Sequence, residues 1–204
     1  MTDCCELKKE ELSRLRGQHR QALVIVLWIN FFMFLFEFSV GLWADSSAVL
    51  ADSLDMLGDF LTYSFSLYVL ARSDQWQLGA ALLKGIIQAA FGIGVIFEVL
   101  GKLMSGGEPS TLAMGVAGGI ALIANTICLL ILLRNREDNL NMQSVWLCSR
   151  NDVIGNLGVI VAAVLVHYTH SVLPDIAVGM IIATIFLRTA FYVITHSVTQ
   201  LRKI

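Results

Sequence analysis

Four carboxylates and a thiol stand in stretches that are otherwise apolar and of membrane length. Residues 48–71 read AVLADSLDMLGDFLTYSFSLYVLA, with Asp52, Asp55 and Asp59 in the first half. Residues 145–166 read VWLCSRNDVIGNLGVIVAAVLV, with Cys148 and Asp152 near the start. A charged side chain at the bilayer centre costs roughly 2.5–3.5 kcal/mol on insertion scales, so three on one segment oppose insertion by about 8–10 kcal/mol. Such residues persist where they face a bundle interior and hold something there. The chemistry they suit is the binding of a metal cation in transit.

The spacing sharpens this reading. Residues four apart on a helix lie about 40° apart around the axis and one turn along it. Asp55 and Asp59 therefore point the same way, and so do Cys148 and Asp152. Helices carrying the two pairs, set face to face, would converge three carboxylates and a thiol. Clustered carboxylates repel one another, and either a divalent cation or protons relieve the repulsion. One site can then exchange a metal ion for protons. Oxygen and sulfur ligands in a tetrahedron suit Zn²⁺. The thiolate favours softer ions such as Cd²⁺ over Mg²⁺, Ca²⁺ or Mn²⁺. Spacing alone leaves Asp52 open as an alternative to Asp55. It also leaves open that Cys148 is a small packing residue, with Asn151 or a water completing the coordination. The plainer alternative for all these acids is capping or pairing within the bundle, with Lys84 as a salt-bridge partner for Asp52 or another acid.

These residues need helices to hold them, and composition says of what kind. The 204-residue chain is 56% hydrophobic and 15% charged, with mean hydropathy +0.72. An ordinary soluble domain carries about 25% charged residues, so this is a membrane composition. The basic residues are scattered and the net charge is −2, which speaks against nucleic acid as a partner. No cleavable signal peptide is expected, because the first apolar run is too long for one. Cysteines at positions 4, 5, 128 and 148 have no framework spacing, so structural disulfides are not expected.

A transmembrane helix needs about 20 apolar residues. Six segments qualify, at about 21–43, 48–71, 77–103, 111–133, 143–167 and 173–194. Continuous apolar runs, rather than alternation, exclude a β-barrel. The expected fold is therefore an all-α membrane protein of six transmembrane helices. Its expected parts are a tail at 1–20, a transport domain at 21–194 and a short C-terminal tail at 195–204. Lys8, Lys9, Arg14, Arg16 and Arg20 precede the first helix, Arg72, Arg134 and Arg136 follow the second and fourth, and Arg202 and Lys203 follow the sixth. The opposite side shows only Lys102. Basic residues accumulate on the cytoplasmic side, so both termini are expected there. In the fourth helix Gly115 and Gly119 form a close-packing pair with Gly118 beside them, serving either packing within the bundle or a dimer interface.

The stretch SSAVLADSLDMLGDF resembles the second helix of the cation diffusion facilitators, where D-x-x-[HD]-x-x-x-D follows serines. NLNMQSVWLCSRNDVIGNLGVI resembles the fifth helix of that family, where an H/D-x-x-x-D pair precedes a glycine-rich tail. Glu37, Gly41, Ser47, Asn125 and Asp175 add weaker echoes, in the family's order from about 20 to 200. The resemblance implies a tetrahedral mid-membrane site formed by Asp55, Asp59, Cys148 and Asp152, with Asp52 and Asn151 outside the ligand set. It implies a homodimer, and a short form lacking the family's C-terminal cytoplasmic domain. Cys148 departs from the usual His or Asp.

The expected activity is secondary transport: export of a divalent transition metal, Zn²⁺ or Cd²⁺ foremost, against protons, with no permanent cofactor. The location expected is a bacterial inner membrane. A metal-gated channel or a membrane metal sensor is the competing class. An enzyme is not expected: Leu57-Gly58-Asp59 only faintly resembles the G-x-G-D motif of intramembrane aspartyl proteases, with Met56 where the first Gly belongs. Elsewhere, Glu37 and Glu98 read as residues near the external helix ends, and Arg150 as a cation snorkelling to headgroups. His167, His170 and Asp175 read as a solvated external cluster. Cys4, Cys5 and His19 fall on a basic amphipathic tail suited to a membrane surface.

Overall fold

The computed structural model describes the backbone over residues 3–69, 74–133 and 140–201. Side chains are described from Arg20 onward, except at 66, 69, 74–78, 80, 81, 84, 140–148, 151, 200 and 201. Those residues form six helices: α1 Asp3–Ala44, α2 Ser47–Val69, α3 Asp74–Ser105, α4 Thr111–Leu133, α5 Leu140–Thr169 and α6 Leu173–Leu201. Among the described residues there is no strand.

The fourth helix has the bounds expected from its apolar run, and α3, α5 and α6 extend a few residues past theirs. The larger difference is α1, whose 42 residues begin far before the apolar run. At 1.5 Å per residue it is about 63 Å long, twice a hydrocarbon core of about 30 Å. The segment EELSRLRGQHRQ is built from good helix formers with one glycine and no proline, so nothing breaks the helix where the apolar run starts. The tail is thus continuous with the first span rather than a separate element.

The connections on one side of the bundle are tight. Asp45 takes a left-handed conformation (φ 51°) between α1 and α2, and the Ser46 amide donates back to the Gly41 carbonyl at 3.1 Å. Ser46 then caps α2, its hydroxyl accepting from the Val49 amide at 3.2 Å. Gly106 (φ 68°) ends α3, its amide bonded to the Lys102 carbonyl at 2.9 Å. The Ser110 amide reaches the Ala44 carbonyl at 2.9 Å and so ties the α3–α4 turn to the α1–α2 turn.

Among the described residues five helices are long and apolar enough to cross a membrane, and α2 is not one of them. No membrane-length stretch of α2 avoids all of Asp52, Asp55 and Asp59. Packing supplies what composition lacks. α2 touches all five other helices, while α3 pairs chiefly with α6 and α4 with α5. Among the described residues four apolar clusters lie around α2: Tyr63 with Leu27, Cys128 and Leu132; Val49 with Met114 and Val159; Ala51 with Val99, Ile182 and Phe186; and Met56 with Met33 and Ala121. Large apolar side chains such as Phe32, Ile123, Val161 and Phe191 lie on the outside, as lipid requires.

Close approach between α4 and α5 depends on Gly118. A Cβ there would lie 3.0 Å from Ile160 Cγ1, whereas at Gly115 and Gly119 it would meet nothing within 4 Å. The spaced glycine pair noted in the sequence therefore does not make this contact; its neighbour does.

Candidate metal site

Asp55 and Asp59 on α2 and Asp152 on α5 line one cavity of about 140 Å³. Such a volume has room for several water molecules. Gly58 and Thr62 of α2, Gln88 and Phe91 of α3, and Phe186 and Thr189 of α6 complete much of the wall. The expected facing of α2 and α5 is present, and the i, i+4 pair on α2 opens to the same space. Asp152 is buried and lies within hydrogen-bonding reach of Asp55.

Asp59 is held from one turn further along its own helix. The Tyr63 hydroxyl donates to Asp59 Oδ2 at 2.6 Å, and Tyr63 itself is only 1% exposed, locked in the cluster with Leu27 and Leu132. A short bond to an ionised oxygen from a fixed ring sets the direction of the carboxylate. Nothing in the α2 sequence except the four-residue spacing of Asp59 and Tyr63 announces this support.

Cys148, Asn151 and Lys84 lie outside the residues whose side chains are described. The backbone places Cys148 on α5, one turn before Asp152. Among the described residues, no three or more His, Cys, Asp or Glu side chains come together closely enough to hold a metal ion. The three carboxylates border the cavity without converging on one point.

Asp52 is only 2% exposed and is not among the residues lining the cavity. Its side chain lies within hydrogen-bonding reach of Glu37 on α1. Glu37 is fully buried, not at a membrane interface as its position in the sequence suggested. Among the described residues both Glu37 oxygens and Asp52 Oδ2 lack a hydrogen-bond donor, and a bond between the two carboxyl groups needs a proton on one of them. Asp52 also approaches α5, where a Cβ on Gly155 would come within 3.7 Å of Asp52 Oδ1. Asn156, one turn beyond Asp152, is fully buried too. The interior thus carries polar groups past the cavity along α2 and α5.

A second polar centre binds the helix ends near the tight turns. Asp175, fully buried at the start of α6, accepts from Ser46 Oγ at 2.6 Å and from the backbone amides of Ser47 and Ala48 at 2.8 and 3.1 Å. It thereby caps α2 from another helix, where the helix dipole favours a negative charge. Lys102 Nζ lies 3.1 Å from Asp175 Oδ2 and is itself buried. Gly179, one turn along α6, lets α6 approach the Ser47 backbone, which a Cβ would meet at 3.2 Å. Asp175 read in the sequence as part of a solvated external cluster, whereas here it is buried against Lys102. Their pairing spans 73 positions, so no local pattern reveals it. His167 is exposed, and His170 meets Glu108 at 3.3 Å on the surface. Arg150 is exposed, consistent with a side chain directed outward.

A helix carrying three aspartates is thus enclosed by five others, and acids of α2 and α5 line one cavity within the bundle. The family model of the cation efflux transmembrane domain matches residues 23–201. The chain belongs to the cation efflux family. It is 25% identical over 191 residues to a cadmium, cobalt and zinc/H⁺-K⁺ antiporter of Bacillus velezensis, covering 85% of this chain and 61% of that protein. To the cation efflux system protein CzcD of an Alcaligenes species it is 22% identical, covering 91% of this chain and 62% of the relative. The zinc transporter ZitB of Escherichia coli is 26% identical, with 82% and 58% covered. The chain spans about 60% of the length of these curated relatives.

Proposed function

We propose that this chain exports a divalent transition-metal cation from the cytoplasm in exchange for protons, with Zn²⁺ and Cd²⁺ as the favoured cargo. The observation that carries this reading is the convergence of Asp55, Asp59 and Asp152, from two helices, on one cavity inside a membrane bundle. Three carboxylates around one space bind a divalent cation when ionised and release it when protonated, because metal and proton compete for the same oxygens. Cys148, one turn from Asp152 on α5, is the proposed fourth ligand and tilts the site towards soft ions. Antiport by relatives such as the Bacillus velezensis protein supports the proton coupling.

In this reading the chain is not an enzyme and holds no permanent cofactor. Its partners are the metal ion, protons and the lipid bilayer, and it works as a homodimer in a bacterial inner membrane with both termini on the cytoplasmic side. The transport domain occupies residues 21–194. Asp52, paired with Glu37, acts beside the site rather than as a ligand. The test is metal uptake into proteoliposomes under an imposed pH gradient, acid on the receiving side. Saturable uptake that collapses with the gradient, and is lost in Asp59→Asn and Asp152→Asn, is expected. Ohmic, gradient-independent flux would instead identify a channel, and binding without flux a sensor.

A further inference from the structure

We propose that Gln88 of α3 contributes a neutral oxygen donor to the cation held between α2 and α5. The inference rests on the reading of the cavity as a cargo site and adds a third helix to it. Gln88 lines the same cavity as Asp55, Asp59 and Asp152. Its carbonyl oxygen is shielded from solvent and has no hydrogen-bond partner among the described residues. A buried carbonyl left without a donor costs about 1–3 kcal/mol, so an oxygen held in this state calls for a ligand that arrives later. A divalent cation is such a ligand, because it needs acceptors and offers no competing donor.

The position of Gln88 is fixed by its neighbours. Gly85, Gln88 and Gly92 fall at i, i+3 and i+7, on one face of α3. That face abuts α6: a Cβ on Gly85 would lie 2.8 Å from Ile194 Cγ1, and one on Gly92 would lie 2.9 Å from Leu187 Cγ. The two glycines draw α3 against α6 on either side of Gln88, which lines the cavity together with Phe186 and Thr189 of α6. On the other flank, a Cβ at Gly58 would meet nothing within 4 Å, and Gly58 and Leu61 of α2 border a small space against Ile87 and Gln88 of α3.

The chemistry fits the site. Three carboxylates already bring more negative charge than a divalent cation cancels. A carboxamide oxygen adds a ligand without adding repulsion, and it carries no exchangeable proton. It therefore contributes to affinity while leaving proton stoichiometry to the acids. As a harder donor than a thiolate, it favours Zn²⁺ relative to Cd²⁺.

The test uses the full chain in proteoliposomes, with Zn²⁺ and Cd²⁺ as probes, and compares Gln88→Leu, Gln88→Glu and Asp152→Asn. KM is measured alongside calorimetric Zn²⁺ binding to purified protein. With Asp152→Asn inactive, Gln88→Leu is expected to raise KM and Kd for Zn²⁺ roughly 10–100-fold, the range for lost supporting contacts at metal sites. It should shift the Zn²⁺ to Cd²⁺ ratio towards Cd²⁺, while Gln88→Glu keeps or tightens Zn²⁺ binding. If Asp152→Asn is inactive but Gln88→Leu binds Zn²⁺ as wild type does, the role of Gln88 is overturned and the acidic site stands. Equal impairment in the Leu and Glu variants, with an unchanged metal ratio, reduces Gln88 to packing and also overturns it. Should Gln88→Leu fail to fold, Gln88→Glu decides: tighter Zn²⁺ binding supports the inference and weaker binding overturns it. Wild-type transport by Asp152→Asn would overturn the cargo site itself, and the Gln88 assignment with it.

Discussion

Asp175→Ala should be the most damaging single change near the tight turns, more so than removal of its cationic partner. Asp175 accepts from Ser46, Ser47 and Ala48 and pairs with Lys102 at 3.1 Å, all out of reach of water. Truncation leaves Lys102 buried, with Asp45 at 3.9 Å and Glu98 as its remaining carboxylate neighbours among the described residues. Breaking one side of a buried ion pair costs about 3–5 kcal/mol, and the lost cap of α2 falls within the same disruption rather than adding to it. At about 2–4 °C per kcal/mol for a chain of this length, Tm should fall by roughly 6–20 °C. Lys102→Met leaves Asp175 with three donors still around its carboxylate, so the expected loss is smaller, about 1–3 kcal/mol. The double variant Asp175→Asn/Lys102→Met removes both charges and should be more stable than Asp175→Ala. Thermal unfolding in detergent, followed by intrinsic tryptophan fluorescence, measures all three. A Tm for Asp175→Ala within a degree or two of wild type would refute the argument. So would a larger loss for Lys102→Met.

Other outcomes follow from the same geometry. Cys148 should set the metal preference: Cys148→Ala and Cys148→His are expected to change the ratio of Zn²⁺ to Cd²⁺ transport, His towards Zn²⁺, and Cys148→Asp to admit Mn²⁺. An unchanged ratio across the three removes the thiol from the site. Glu37→Gln should fold like wild type, because its amide can donate to Asp52, whereas Glu37→Leu leaves a buried carboxylate without that partner and should lower stability by about 1–3 kcal/mol; equal Tm values for the two would sever the pairing. Gly118→Leu should weaken the α4–α5 contact by about 1–3 kcal/mol through overpacking, and Gly115→Leu should be tolerated. Detergent unfolding of the two side by side reads the difference.

The acidic pairs were legible in the sequence because a four-residue spacing on a helix is a statement about direction, and charge in an apolar run is a statement about burial. The facing of α2 and α5 followed from the second of these. What was hidden depends on contacts between distant segments. Glu37 and Lys102 both lie towards helix ends, where an exposed position is the ordinary expectation. Only the packing of α1 on α2, and of α3 on α6, encloses them. Gln88 was passed over because a neutral amide in a long helix carries no pattern of its own. The first span, expected at 21–43, agrees with the apolar stretch Arg20–Ala44, but the start of α1 at Asp3 was not legible, because apolarity marks where a membrane begins and not where a helix does.

The enclosure of α2 has a consequence for how the protein is made. A segment emerging from the ribosome with Asp52, Asp55 and Asp59 cannot settle into lipid by itself, and four of the helices that surround it are synthesised after it. Until α3 and α6 arrive, α2 must be retained at the translocation machinery or beside α1, to which the short turn at Asp45 joins it. Topology is therefore completed late, after α2 has already been translated. The carboxylates of α2 thus make biogenesis cooperative, and in ribosome-stalled chains ending before α5 a cysteine introduced into α2 should remain accessible to a water-soluble thiol reagent while α1 is already integrated.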